Sequence, residues 1–281
     1  MFARISRSWS LVKASAAVLA QDKELLLFPL MSLAAVVVVA LCFAAPAIGL
    51  GLLDGISHRR GFSSSLYALA FLFYFSQYFV AFFFNTALVG AAMIRLGGGN
   101  PTLGDGMRIA TSKIGAIAGY ALIAATVGII LRAIQERVGF IGRIIVGFLG
   151  VGWTIATFLV VPVLVTRDTG PIEAIRESAT LLKKTWGENV IGQVGLAASF
   201  GFIYLAVMLG GLVLVVLAIV AHSIALVITS IAVVALALGA AALVQSALSG
   251  IYEAALYHFA TTGEGTTGFD SGSLRLAFAP K

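Results

Sequence analysis

Apolar residues fill six long runs of the chain, and polar residues gather between them in segments of unequal character. About 20 apolar residues in a helix cross the ~30 Å hydrocarbon layer of a bilayer. The pattern therefore predicts spanning helices at about 25–53, 66–96, 114–131, 144–165, 190–220 and 224–250. Pro29 stands near the start of the first and Pro46 near its far end, where a kink is expected. Gly147, Gly150 and Gly152 thin the fourth run, and Pro162 lies near its exit. Only Ala221, His222 and Ser223 separate the last two runs, which makes them a tight helical hairpin. By length, the sixth helix leaves the hydrocarbon near Leu243, so Glu253 and His258 are expected in solvent.

The polar segments carry a second pattern. Ile172, Ile175, Ala179, Leu182 and Trp186 recur at i, i+3, i+7, i+10 and i+14, with Arg176, Glu177, Lys183 and Lys184 around them. That spacing predicts an amphipathic helix at 171–187 lying on a membrane surface. Ile5, Trp9, Val12, Ala16 and Leu19 repeat it within 1–24, beside Lys13. Trp9 and Trp186 suit the headgroup boundary. RLGGGNPTLGDG reads as a flexible linker. The Gly/Thr-rich tail, 261–281, is expected to be disordered, or else a short docking segment carried by Leu274 and Phe278 at i, i+4. A basic segment thus precedes spans one, three and five. Ser8, Leu11 and Lys13 match Ser178, Leu181 and Lys183 in spacing, while Arg108 and Ala110 answer Arg176 and Ser178 in a weaker middle copy. The expected fold is all-α: a surface helix at 1–24, six transmembrane helices in three hairpins over 25–260, and cytoplasmic amphipathic surface helices.

Composition narrows the class. With 60% hydrophobic and 11% charged residues and a mean hydropathy of +1.05, a water-soluble domain would lack polar surface to cover itself. The net charge of +6 lies beside the apolar runs and forms no separate basic domain, which argues for anionic lipid headgroups and against nucleic acid. Thirteen Lys and Arg residues fall on the side holding both ends of the chain and five on the other, so both termini are expected in the cytoplasm, with the protein in a bacterial inner membrane. The first apolar run is too long for a signal peptide, and Cys42 is alone, so no intrachain disulfide forms.

Candidate chemistry is sparse. Tyr67, Tyr74, Tyr78 and Asn85 fall within about 60° of one another on the second span. Together with Gln193 and Gln245 they would line a cavity, or else pack against neighbouring helices. Gly115 and Gly119 form a small-xxx-small face for close helix approach. His58, His222 and His258 have no metal-ligand spacing, and neither HExxH nor GxSxG occurs, so no catalytic residue, metal or cofactor is assigned. No acidic residue falls at the middle of a predicted span, which argues against an ion-coupled pump. The expected function is a non-enzymatic, lipid-interacting scaffold or adaptor for other membrane proteins or further copies of itself. The alternative is a passive channel or transporter for a small or lipidic solute.

DKELLLFPLMS, NPTLGDGMRIATSKIGAIAGYALIAATVG and GPIEAIRESATLLKKTWGE resemble an uncharacterised bacterial family of multi-pass membrane proteins, known only as a domain of unknown function. The closing GFDSGSLRLAFAPK is similar to that family's C-terminal ending, so the resemblance covers nearly the whole chain. The PxxAxxxSxxLxxxxW pattern from Pro171 more loosely resembles a membrane domain fused to glycerophosphodiester phosphodiesterases, whose catalytic domain has no counterpart here. The resemblance implies a topology and no activity.

Overall fold

The computed structural model describes residues 2–49, 64–184, 189–264 and 266, with side chains over 12–48, 68–183, 200–264 and at 266. A chain in hydrocarbon must satisfy its own backbone, and long helices do so residue by residue. The apolar runs accordingly form α2 (Leu27–Gly49), α3 (Ser64–Leu96), α5 (Ile114–Arg137), α9 (Asn189–Val220) and α10 (Ile224–Thr262). The fourth run forms two helices, α6 (Phe140–Ala156) and α7 (Val160–Thr166). Three shorter helices arise from the polar segments: α1 (Phe2–Gln21), α4 (Leu103–Ser112) and α8 (Pro171–Lys184). Among the described residues the regular structure is helical, and six stretches are long and apolar enough to cross a membrane. The chain is polytopic and all-α.

The split in the fourth run departs from the single span expected at 144–165. Pro162 has no N–H, and its ring excludes the carbonyl of Phe158 from a helical position. The turn closes instead with Phe158 N–H donating to Ile155 O and Val160 N–H to Thr157 O. Ser178 of α8 completes it. Its Oγ accepts from Leu159 N–H at 3.0 Å and donates to Ala156 O at 2.7 Å.

Buried side chains concentrate toward one end of the bundle. They include Leu25 and Phe28 at the entry to α2, Leu88 and Val89 on α3, Ile117 on α5, Val160 to Leu164 on α7, and Ile251, Tyr252 and Ala254 to Tyr257 on α10. The opposite halves turn apolar groups outward, with Phe140 and Ile224 78% and 80% exposed. So much exposed apolar surface suits lipid rather than water.

The three short helices dock in rotation. α4 packs on α3, α8 on α7 and α6, and α1 on α9 and α10. Each turns inward a face rich in small residues: Ser15 with Val12, Val18 and Leu19; Gly106 with Ala110; Ala174 and Ser178 with Leu182. Small side chains let helix backbones approach closely. The buried faces are consequently rotated from the predicted stripes: Ile172 is 59% exposed and Ala16 is exposed. Ala110 and Ser178, matched by spacing, are both fully buried. Ser8 and Leu11 fall outside the described side chains, and the tail from 267 onward outside the described residues.

The glycine-rich stretch is a pinned turn, not a flexible linker. Gly98 adopts a left-handed φ of 85°, which glycine alone takes without a Cβ penalty. Arg95 pairs with Asp22 at 2.8 Å and donates to Gln21 Oε1 and Gly99 O, tying the turn to the end of α1. Thr102 then caps α4: its Oγ1 accepts from Asp105 N–H, and the Asp105 carboxyl accepts from Thr102 N–H and Oγ1–H. These hydrogen bonds hold the Asp105 carboxyl below the usual carboxylate range. A depressed folded pKa stabilises above the unfolded value and is lost as pH falls through the folded one. Thr102→Ala is therefore expected to destabilise the protein near neutrality, and by less as the pH falls below the ordinary carboxylate range. Unfolding midpoints of the two proteins in detergent across that range check it.

Candidate functional site

α10 continues well past the expected span end at about 250. It runs 39 residues to Thr262, because its second half is a core element packed on α3 and α7. Gly250 permits the contact: a Cβ there would lie 2.5 Å from Leu88 Cδ2. Tyr257 on the same stretch accepts a 2.7 Å hydrogen bond from Thr166 Oγ1 at the end of α7. Glu253, expected in solvent, is thereby carried against α3, where its carboxyl accepts from Asn85 Nδ2 at 3.4 Å. At 1.5 Å per residue, Asn85 lies about 15 Å along α3 from the Arg95–Asp22 ion pair. An ionisable group this deep among apolar helices is costly and by default a functional candidate. His258, five residues on, points to another face and meets Thr262 Oγ1 at 3.3 Å.

Glu253 stands in a cavity of about 420 Å³ between α2, α3 and α10. One helix face of α10 supplies Ala242, Gln245, Ser246, Ser249 and Glu253, spaced at i, i+3/i+4, i+7 and i+11. α3 adds Phe82, Phe84 and Asn85, and α2 adds Pro29 and Ser32. Ala81, Ala242 and Ser246 are exposed at the mouth, while Asn85, Ser249 and Glu253 are half-buried inside. Gln245 is steadied from outside, since its Oε1 accepts from Tyr204 O–H of α9 at 2.6 Å. The cavity thus joins apolar walls to hydroxyl, amide and carboxyl groups, with no Lys, Arg or His among the described residues of its lining.

Of the six residues proposed to line a cavity, the structure brings Asn85 and Gln245 together. Tyr74 accepts from Arg132 of α5 at 2.7 Å, and the Tyr78 hydroxyl lies against Gly128 of the same helix. Both are helix contacts, because along their stretch α3 packs on α5. The Tyr67 and Gln193 side chains fall outside those described. Ser32, Ser246, Ser249 and Glu253 were missed; the alternation of Gln245, Ser249 and Glu253 along one helix face was the available signal. Gly119 lies 2.8 Å, by an added Cβ, from the Pro171 ring of α8, whereas nothing stands within 4 Å of one at Gly115. The pair is one contact and one open position. Lys13, Arg176 and Lys183 are exposed, and the side chains of Trp9, Lys184 and Trp186 fall outside those described.

Among known families, one described as a family of unknown function (DUF6159) matches residues 64–269. No curated protein matches the chain.

Proposed function

We propose, for a chain that belongs to this family of unknown function, a non-enzymatic role in the membrane: binding an amphiphilic lipid or small solute in the cavity between α2, α3 and α10. The observation that carries this reading is the Asn85–Glu253 pair inside a cavity of about 420 Å³, at a depth where polar groups are expensive unless used. The apolar walls would take the aliphatic part of a ligand, and the hydroxyl, amide and carboxyl groups its polar part. Holding fits better than conduction, because Tyr74 and Tyr78 lead away from the cavity toward α5.

Ser249→Leu would fill the cavity from a half-buried position on α10. Native mass spectrometry of the full-length protein, gently extracted from membranes, is expected to find an amphiphile on the wild type and at least tenfold less on Ser249→Leu. Equal occupancy of the two proteins would sink the cavity reading.

The three short helices support a second contact with lipid. Lys13, Arg108, Arg176 and Lys183 are exposed on faces opposite the docked ones, and basic groups beside apolar spans attract anionic headgroups at ~1 kcal/mol each. Reconstitution is expected to stabilise the protein more in anionic than in zwitterionic liposomes, by a margin that salt reduces. Indifference to headgroup charge would remove this second reading.

A further inference from the structure

Resting on the cavity reading above, we propose that the ligand carries a primary ammonium group, which enters between Glu253 and Asn85 while its aliphatic part lies along Phe82 and Phe84.

The chemistry of the lining supports this choice. Among the described lining residues Glu253 is the one ionisable side chain, and the remaining polar groups are the Asn85 and Gln245 amides and the hydroxyls of Ser32, Ser246 and Ser249. Such a set is rich in acceptors. It offers no cation to a phosphate, sulfate or carboxylate, and an anionic head would meet Glu253 without a counter-charge. The nearest described cation in α3 is Arg95, about 15 Å away along the helix and already committed to Asp22 at 2.8 Å. Glu253 is itself under-compensated, because the hydrogen bond from Asn85 is long, at 3.4 Å, and comes from a neutral amide. A half-buried carboxylate of that kind is stabilised by a cation that brings several N–H donors, and an ammonium brings three. A hydroxyl head would satisfy the hydrogen bonds and leave the charge unpaired.

The charge logic also runs opposite to that of the outer surface. The exposed faces of α1, α4 and α8 present Lys and Arg, whereas the cavity presents Glu. One protein would then meet anionic lipid at its rim and select a cationic head within its wall.

The test uses the full-length protein in a maltoside detergent with three probes: dodecylammonium, dodecanol and ethylammonium. Binding is read by native mass spectrometry and by the shift in thermal unfolding midpoint. Dodecylammonium is expected to bind the wild type at least tenfold more tightly than dodecanol, and Glu253→Gln, which keeps shape and removes charge, to abolish that preference. Ethylammonium identifies the source: binding comparable to dodecylammonium assigns the site to a free small amine, and no binding assigns it to a membrane-borne one. Equal binding of dodecylammonium and dodecanol, blocked by Ser249→Leu, would overturn the ammonium assignment and leave the cavity reading in place. Binding of neither probe, or binding that Ser249→Leu does not disturb, would overturn both. The comparison of probes on the wild type decides the matter even where Glu253→Gln fails to fold.

Discussion

Ser178→Ala is expected to lower the stability of the protein by about 2 kcal/mol, the sum of one buried and one part-buried backbone group deprived of their partner. The Ser178 side chain is fully buried, and its hydroxyl is used twice at the break between α6 and α7, as acceptor for Leu159 N–H and donor to Ala156 O. Neither backbone group regains a helical partner, because Pro162 keeps the chain from closing into one continuous helix. Water does not readily replace the hydroxyl, since Leu159 and Val160 are also fully buried. Ser15 provides the contrast. It too is fully buried on a docked short helix, but its hydroxyl has no hydrogen-bond partner. Ser15→Ala removes an unsatisfied polar group and is expected to gain about 1 kcal/mol. Unfolding midpoints of both variants in the same detergent measure the difference. Equal stability of Ser178→Ala and wild type would show that the break holds without its serine.

The second large effect is expected at Gly106. An added Cβ would lie 2.5 Å from Phe28 Cζ and 2.6 Å from the backbone oxygen of Ala87. The phenyl ring is fully buried, and the carbonyl belongs to the most enclosed part of α3, so neither yields cheaply. Gly106→Ala is expected to cost near the upper end of the ~1–3 kcal/mol seen for overpacking. That exceeds the ~1 kcal/mol alanine ordinarily gains over glycine inside a helix. Gly115→Ala is the matched control, with nothing within 4 Å of the added carbon. It should be neutral or slightly stabilising. The same chemical change thus has opposite signs on α4 and α5, and a thermal melt of each variant reads the sign directly. A Gly106→Ala protein as stable as wild type would mean that α4 stands further from α3 than described.

The helices were legible because hydrophobicity and length alone demand them; six spans follow from counting apolar residues against bilayer thickness. What lies between spans was harder. The docked faces of the short helices are made of Ser15, Gly106, Ala110, Ala174 and Ser178, and small residues leave little trace in a hydrophobic pattern. Ile172 looked like an anchor and is exposed, because close approach selects for size before hydrophobicity. Glu253 was placed in water by an assumption about where a helix must leave the bilayer. The pairing with Asn85 is a tertiary fact, set by Gly250 meeting Leu88, and no local pattern carries it. Two of the six polar residues in the cavity lining were nevertheless readable. Asn85 and Gln245 stand out as amides in apolar helices, and both line it. Tyr74 and Tyr78 share a stripe with Asn85, but they stand earlier along α3, where the neighbour they meet is α5 and not α10.

The rotation of the short helices has a bearing on biosynthesis. α4 and α8 each settle on helices already made when they emerge, but α1 settles on α9 and α10, the last to appear. During translation its buried face of Val12, Ser15, Val18 and Leu19 waits through the insertion of four spans before it is covered. That contact is also among the most distant in sequence, so closing it carries a large share of the loop entropy of folding. The joint between the first and last parts of the chain is therefore the step most open to interception by a chaperone, an insertase or another nascent copy.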